Sequence, residues 1–595
     1  MLVASLIARV GLGASLQVEI TPKFSGESLQ PGSLRYETYA RESFSITRVS
    51  YLLSGIALQQ SDGRWLELTN RFAWLDLTRS SFRLDNLPAD SYRSIRFYCG
   101  LDKSDNHAEV AKFPADHPLN PNVNRLHWSW QGGYIFLAIE GMWRSADRPF
   151  DGWAYHLARD TNRPCVNLAV ALELSHDAKL ELDFDLATLL NAPRALSFAK
   201  DGSSTHSRDG DPIAAALVAN LPGSFRVRRV SSMAADKSAV AQLKPLYLPA
   251  KYTPYCFVMS STFPIPDLPR DNPFTEERVA LGEKLFHETA LSKDGSLSCA
   301  SCHQAKTALS DPRHFSIGVR EQLGKRNAMP LFNLAWKSSF FWDGRAPSLR
   351  EQAMMPIQDH SEMDETLTNL VVKLSRETSS LKPQASGKIQ TSSTREESAD
   401  YPALFENAFG SKEITAEKIG LAIETFVMTR TSFNSKFDRV LQGKEQFTAE
   451  EQHGFTLFST EYDPRREQFG ADCFHCHGGP LFQSQAFANN GLDSEFKDAG
   501  RAKITSKDSD LGKFSVPSLR NVALTAPYMH DGRFATLEEV VEHYATGVKR
   551  SATLDPNLAK HPDGGVPLRP ADKKELVAFL KTLTDDSFVA QNEGR

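Results

Sequence analysis

Two five-residue segments of this chain carry one pattern: Cys299-Ala300-Ser301-Cys302-His303 and Cys473-Phe474-His475-Cys476-His477. Two thiols three positions apart on a helical turn can add to the two vinyl groups of one porphyrin, and the next residue then places an imidazole under the iron. A single copy also fits a redox dithiol or half a zinc site. Two copies could form one Cys₄ zinc site, but that leaves both trailing histidines without a role. The spacing therefore predicts two covalently bound haem c groups, attached through Cys299, Cys302, Cys473 and Cys476, with His303 and His477 as proximal ligands. Covalent attachment of this kind implies export to an oxidising periplasm. Met1 to Leu16 is apolar but interrupted by Arg9, so a signal peptide reads as partial or absent, and the segment serves equally as a first strand. Three of the seven cysteines are left over. Cys99 and Cys165 lie in one region, which leaves a disulfide or two free thiols open, and Cys256 is expected as a free buried thiol.

The elements that must position these residues change character near residue 230. Before it, short runs rich in aromatic and β-branched residues (Leu16–Ile20, Phe44–Leu58, Ser94–Tyr98, Tyr134–Ile139, Leu180–Phe184, Phe225–Val230) are separated by turn signals such as Ser61-Asp62-Gly63 and Asp201-Gly202. That pattern predicts an all-β, sandwich-like domain over 1–230. Residues 231–270 are rich in proline and read as a linker. Beyond 270 the period is helical, as in Glu276–His287, Ile419–Met428, Glu450–Phe458, Leu537–Tyr544 and Lys573–Leu583. With one haem motif in each half, the expectation is an all-α di-haem module of two cytochrome c-like domains, 271–435 and 436–595. The Ser/Thr/Lys-rich stretch 376–400 reads as a flexible surface loop.

Composition excludes some classes. Asp plus Glu (73) slightly exceeds Lys plus Arg (68), so there is no basic footprint for nucleic acid. No apolar run reaches the roughly 18 residues of a membrane span.

Between and after the haem motifs come Lys325-Arg326-Asn327-Ala328-Met329-Pro330, Phe341-Trp342-Asp343-Gly344-Arg345, Glu351-Gln352, Ser361-Glu362-Met363, Leu519-Arg520-Asn521-Val522 and Thr525-Ala526-Pro527-Tyr528. Over roughly 270–590 this order resembles the bacterial di-haem cytochrome c peroxidase superfamily. The resemblance implies peroxide chemistry with Trp342 between the haems and Gln352 and Glu362 in the distal pocket of the peroxide-binding haem. It also implies calcium between the haem domains, near Asn327, Thr525 and Pro527. Where ordinary peroxidases place an axial methionine on the C-terminal haem, this chain has Tyr544, which resembles the branch containing MauG and MbnH. Tyrosinate is harder and anionic, and favours higher iron oxidation states. In that branch the two irons share two oxidising equivalents as a bis-Fe(IV) state, and a tryptophan on another protein is oxidised. Read from the residues alone, Trp342 and Tyr544 also fit core packing, and Glu362 a solvated carboxylate.

The first 230 residues carry His117-Pro118-Leu119-Asn120-Pro121, His127-Trp128-Ser129-Trp130-Gln131-Gly132-Gly133, Tyr155-His156-Leu157 and Thr205-His206-Ser207. This resembles the MbnP family, periplasmic copper-binding proteins in which a tryptophan is oxidised to kynurenine. The resemblance implies copper in this domain. Trp128 and Trp130, on one face of a regular strand, are the candidates for modification, and His127, His117, His156 and His206 for copper ligands. The leading expectation is thus a di-haem oxidase that uses hydrogen peroxide to modify its own N-terminal domain, in cis or across a dimer. Fusion replaces a bimolecular encounter by an effective concentration on the order of mM for a suitable linker. Two other classes compete. One is a hydrogen-peroxide-reducing cytochrome c peroxidase with an appended copper module, which Tyr544 opposes. The other is a non-enzymatic copper-binding and electron-transfer protein, which Gln352 and Glu362 oppose.

Overall fold

A computed structural model describes residues 13–128, 132–233, 246–376 and 399–593. Trp130 and nearly all of the 376–400 stretch lie outside the described residues. The chain divides into two compact units. One holds the described residues up to 233 together with Arg550–Asp563; the other holds those of 246–549 and 564–593.

The first unit is two sheets around one core. In the smaller sheet the order is Phe225–Ser232, Ala178–Asp185, Ala14–Phe24, Glu27–Ser28, with Ser81–Leu87 also on Ala14–Phe24. Ala14–Phe24 runs parallel to Ala178–Asp185, Leu16 opposite Ala178 and Lys23 opposite Asp185. The larger sheet has the order Cys165–Glu173, Ser91–Cys99, Arg48–Gln60, Ile135–Trp143, Asp151–Ala158, Ser204–Thr205. Side chains at alternate positions of both sheets meet in the middle: Leu16, Val18, Ile20, Leu180 and Leu182 from one, Val49, Tyr51, Leu53 and Phe97 from the other. Phe184 stacks on Phe225 at 4.4 Å, and Tyr51 meets Phe184 edge-on at 5.2 Å.

Ile135–Trp143 is buried along its whole length. Its inner face supplies Leu137, Ile139 and Trp143 to the main core. Its outer face supplies Phe136 and Ala138 to a second, smaller core built by Leu101, Leu119, Leu126 and Tyr134. Residues 100–128 and 132–134 therefore cover the outer face of the large sheet at Phe136 and Ala138.

The structure decides the open pairing of Cys99 and Cys165 and corrects the burial of Cys256. Cys99 and Cys165 are both free. Cys165 pairs with Tyr98, one residue away from Cys99. That offset puts the two side chains on opposite faces of the sheet, Cys99 buried and Cys165 exposed, so they cannot bridge. Cys256 is exposed rather than buried. Where a linker was expected, residues 246–270 instead pack on the helical unit: Phe263 is buried, and the Trp336 indole N–H donates to the Pro264 carbonyl at 2.7 Å. The prolines remove backbone donors, and the interleaved Tyr247, Tyr255, Phe257 and Phe263 anchor the strap to the core.

The helical unit uses one device twice. Glu276–Phe286 crosses Ala416–Met428, and Ala449–Ser459 crosses Pro570–Lys581. Each crossing has a glycine at its closest point. A Cβ on Gly282 would lie 2.1 Å from the Ala422 carbonyl oxygen, and one on Gly454 2.0 Å from that of Glu575, so any side chain would force the helices apart. The helices start where the sequence offers caps: Thr275 and Thr415 accept from backbone N–H groups of the first turn, and Thr448 forms a capping box with Glu451. Each such cap is worth about 1 kcal/mol. Among the described residues no helix is long and apolar enough to cross a membrane.

Candidate functional site

Cys299–Cys302 is a single helical turn, begun by a Ser298/Ser301 capping box. His303 follows, and its Nδ1 donates to the Leu309 carbonyl at 2.9 Å. In the second motif Cys473–His475 is a single 3₁₀ turn, and His477 Nδ1 meets the Phe482 carbonyl at 3.2 Å. A carbonyl oxygen only accepts, so both imidazoles hold their proton on Nδ1 and keep the Nε2 lone pair for a metal. Burial lowers the pKa of both, His477 to about 4, which keeps the ring neutral as a ligand must be. Burial also pushes the Cys299 and Cys473 thiols up to about 12. Cys, Cys and a neutral, Nε2-open histidine are the set that covalent haem requires.

Cys299, Cys302 and His303 line a cavity of 520 Å³. Trp342, Gln352 and Glu362 line the same cavity, so the structure brings together the first motif and three residues up to 63 positions away. Gln352 projects from the Ser348-capped helix Leu349–Gln358. Glu362 sits in the turn that follows, its backbone fixed by Glu362 N–H to the Asp359 carbonyl at 3.0 Å and by the Val319 N–H to its own carbonyl at 2.7 Å. Desolvation raises its pKa to about 7, Asp359 adding to the rise and Arg345 opposing it. A carboxyl group near 7 is poised to accept and return a proton. The Trp342 indole N–H donates to the Asn327 carbonyl at 2.9 Å.

Tyr544 lies half-buried in a π-turn, His543–Gly547, that ends the Leu537–Glu542 helix. Such turns rotate a side chain out of the α-helical register and recur at functional sites. Asn327 uses its side-chain amide to hold the Arg313 and His314 carbonyls at 3.3 Å, and its backbone N–H donates to the His530 carbonyl at 2.9 Å. Thr525 donates to the Val522 carbonyl, and the Ala526–Pro527 bond is cis.

In the β unit the strand register does the positioning. Ala138 pairs with His156, and Glu140 pairs with both Ala154 and Arg48. Residues 136, 138 and 140 share the outer face, so His156 and Glu140 project to that face together, and both are buried there. His156 Nε2 donates to Glu140 Oε1 at 2.8 Å, and Arg48 Nη1 pairs with the same oxygen at 2.6 Å. His206, just beyond the short parallel strand Ser204–Thr205, brings its Nε2 within 3.2 Å of His156 Nδ1. The Trp128 ring lies 5.4 Å from His206 and 6.4 Å from His156. His156 is buried, and desolvation lowers its pKa to about 4 against the pull of Glu140, so the ring is neutral with its lone pair on Nδ1. Two imidazole nitrogens this close suit one shared metal ion of intermediate softness.

The other two candidate histidines are elsewhere. His117 stacks on Phe113 at 4.8 Å and accepts the Leu119 N–H on Nδ1. His127 packs edge-on against Tyr134 at 4.6 Å. Trp128 is also not in a regular strand; its N–H donates to the Gly133 carbonyl and its carbonyl accepts from Gly132. Glu140 and Arg48 were not foreseen. The readable signal was a lone carboxylate in Phe136-Leu137-Ala138-Ile139-Glu140-Gly141-Met142-Trp143, since an unpaired charge does not survive in such a run.

Comparison with known proteins places both units. Residues 276–446 match the family model for di-haem cytochrome c peroxidase, and 13–207 match that for MbnP. The methylamine utilization protein MauG of Methylorubrum extorquens is 34% identical over 319 residues, covering 53% of this chain and 80% of that protein. Cytochrome c551 peroxidase of Nitrosomonas europaea is 33% identical, covering 55% of this chain and 86% of its own. The crystal structure of a MauG-like protein associated with microbial copper homeostasis aligns at 32% identity with a TM-score of 0.47, over 56% of this chain and 97% of that one. The chain therefore belongs to the di-haem cytochrome c peroxidase and MauG family, with an MbnP domain fused ahead of its oxidoreductase module.

Proposed function

We propose that this chain uses hydrogen peroxide to oxidise Trp128 of its own MbnP domain to kynurenine, and that the product completes a copper site with His156 and His206. The observation that carries the reading is Trp128 at 5.4 Å from His206, with His206 at 3.2 Å from His156. Ring opening turns an indole, which offers no lone pair to a metal, into an aryl amine and a ketone beside two imidazoles. Atoms balance for two peroxides per tryptophan: two oxygens enter across the indole double bond with release of two waters, giving N-formylkynurenine. Hydrolysis then removes the formyl carbon as formic acid.

Two haem c groups, held by Cys299, Cys302 and His303 and by Cys473, Cys476 and His477, supply the oxidising power when bound. Glu362 takes the proton from one peroxide oxygen and returns it to the other, and Gln352 orients the peroxide by hydrogen bonding. Trp342 would relay electrons, and Tyr544 would offer its phenolate to the C-terminal haem. Asn327, Thr525 and Pro527 offer the oxygen donors that a hard cation such as calcium takes. The paired helix crossings support a reading of the module as two cytochrome c-like halves. Covalent haem assigns the protein to the periplasm.

The test is peptide mass spectrometry across residues 126–144 after expression with the cytochrome c maturation machinery, for wild type and Glu362→Gln. Kynurenine adds about 4 Da to tryptophan, one carbon lost and one oxygen gained. A shift on Trp128 in wild type, absent in the variant, supports the reading. Unmodified peptides from haem-loaded, peroxide-treated protein sink it in favour of a peroxide-reducing enzyme with an appended copper module.

A further inference from the structure

Trp342 is held by more than its indole N–H. Arg326, the residue before Asn327, ties together two carboxylates: Nε and Nη2 donate to Asp498 at 2.7 and 2.9 Å, and Nη1 donates to Asp343 at 2.7 Å. Asp343 is the residue after Trp342, is 4% exposed, and also takes the Arg345 guanidinium at 3.1 Å. A ladder of alternating charge thus runs Asp498, Arg326, Asp343, Arg345 along the wall of the cavity. The Arg326 guanidinium lies 5.5 Å over the Phe514 ring, which stacks on His530 at 3.7 Å. The backbone is pinned at the same place. The Ser515 N–H donates to the Trp342 carbonyl at 2.7 Å, and Arg501 donates to the Asp343 and Gly344 carbonyls at 2.8 and 2.9 Å. Asp498, Arg501, Phe514 and Ser515 follow the second haem motif, whereas Arg326, Asn327, Trp342 and Asp343 follow the first.

We propose that Arg326 is a positioning residue for Trp342, cross-linking the two haem-bearing halves so that the indole keeps one orientation and one hydrogen bond while electrons pass. The geometry makes it specific. One guanidinium fixes the residue after Trp342 through Asp343, and its own backbone leads into the carbonyl that accepts the indole proton. The ladder carries two cations and two anions, so an oxidised indole forms beside balanced charge. Removing Arg326 leaves Asp343 and Asp498 without their shared cation, and the Trp342–Asp343 segment must shift to rehydrate them. Lysine has one point charge and no fork, so it cannot hold both carboxylates in one plane.

This inference rests on Trp342 being the relay, and the experiment separates the two. In the haem-loaded protein, electron redistribution between the haems after one-electron reduction is followed by stopped-flow spectroscopy. The indole N–H hydrogen bond is read by ultraviolet resonance Raman difference against Trp342→Phe. The variants are Arg326→Gln, Arg326→Lys, Trp342→Phe, and Arg326→Gln with Trp342→Phe, with Arg533→Gln as a control for a remote ion pair. The expected result is redistribution roughly tenfold slower in Arg326→Gln, an intermediate rate in Arg326→Lys, a weakened indole hydrogen bond, and no further slowing on the Trp342→Phe background. Equal slowing on both backgrounds, or in Arg533→Gln, overturns the positioning role and leaves only a structural one. A Trp342→Phe variant as fast as wild type overturns the relay reading and this inference with it. A slow Trp342→Phe with a fast Arg326→Gln overturns this inference alone.

Discussion

The imidazoles of the two units are held by different groups. In the helical unit His303 and His477 donate Nδ1–H to the backbone carbonyls of Leu309 and Phe482. In the β unit His156 donates Nε2–H to the carboxylate of Glu140, itself paired with Arg48. The ring nitrogen that keeps its lone pair differs too, Nε2 in the first case and Nδ1 in the second. A carboxylate draws harder on the ring proton than a carbonyl does and makes the other nitrogen the better donor. A carbonyl comes from a residue six or five positions on, so these two imidazoles are oriented by a tight local loop. The carboxylate comes from a neighbouring strand and exists as a partner only while the sheet is in register. His303 and His477 are thus robust to distant change, and the His156 pair depends on tertiary structure.

The sharpest way to break the comparison is at the carbonyl side, where the acceptor itself cannot be mutated. Arg520 is fully buried, pairs with both oxygens of Asp438 at 2.8 Å, and donates to the Pro480 carbonyl in the loop that ends at Phe482. Arg520→Ala strands a buried aspartate and is expected to cost about 3–5 kcal/mol in denaturant unfolding. A shift of the second haem's spectrum, with the first unchanged, would place the damage at His477. An unchanged unfolding midpoint would refute the clamp.

On the carboxylate side, His156→Ala removes one imidazole of the pair beside Trp128, and copper affinity measured by competition with a chelator should fall at least about a hundredfold. Glu140→Gln keeps the shape but not the charge, and the expected loss is about 10–100-fold, with no change in haem loading. An amide that binds copper as tightly as the carboxylate would erase the distinction between the two kinds of imidazole support.

Glu362 gives a smaller and graded effect. Its pKa is raised to about 7, so the carboxyl is protonated in acid and ionised above neutrality. Only the ionised form can take the peroxide proton, and the rate of peroxide consumption should therefore rise with pH through about 7, rather than through the ordinary glutamate range. Asp359→Asn removes a neighbouring anion and should move that inflection down; an inflection that stays fixed would exclude Glu362 as its source. The smallest effect belongs to the free thiols. Cys165→Ser is expected to change stability by no more than about 0.5 kcal/mol, and reductant to leave the melting temperature alone, because no disulfide joins Cys165 to Cys99.

The same contrast explains what could be read in advance. Cys299 to His303 and Cys473 to His477 are complete within five residues, since covalent attachment and axial ligation are satisfied by one turn and its neighbour. The strands and helices were legible where their periodicity was strong: Leu180–Phe184 lies inside Ala178–Asp185, and Ile419–Met428 inside Ala416–Met428. Proline-rich composition gives no sign of the aromatic anchors that dock residues 246–270. Cys99 and Cys165 were left open because only the strand register decides which face each occupies.

The sequence by itself determined the chemistry at the haem motifs, the division into a β unit and a helical unit, and the caps and turns that bound the elements. Those features depend on neighbours along the chain, where geometry is fixed by a few dihedrals. Only the tertiary structure decided that His156 and His206, rather than His117 or His127, stand together beside Trp128, and that Glu140 and Arg48 stand behind them. It alone set Arg326 between Asp343 and Asp498. Those groups are tens to more than a hundred residues apart, and what joins them is the pairing of strands and the packing of helices around apolar cores. Local sequence does not encode such distances, because they are settled by the cooperative burial of all the surfaces at once.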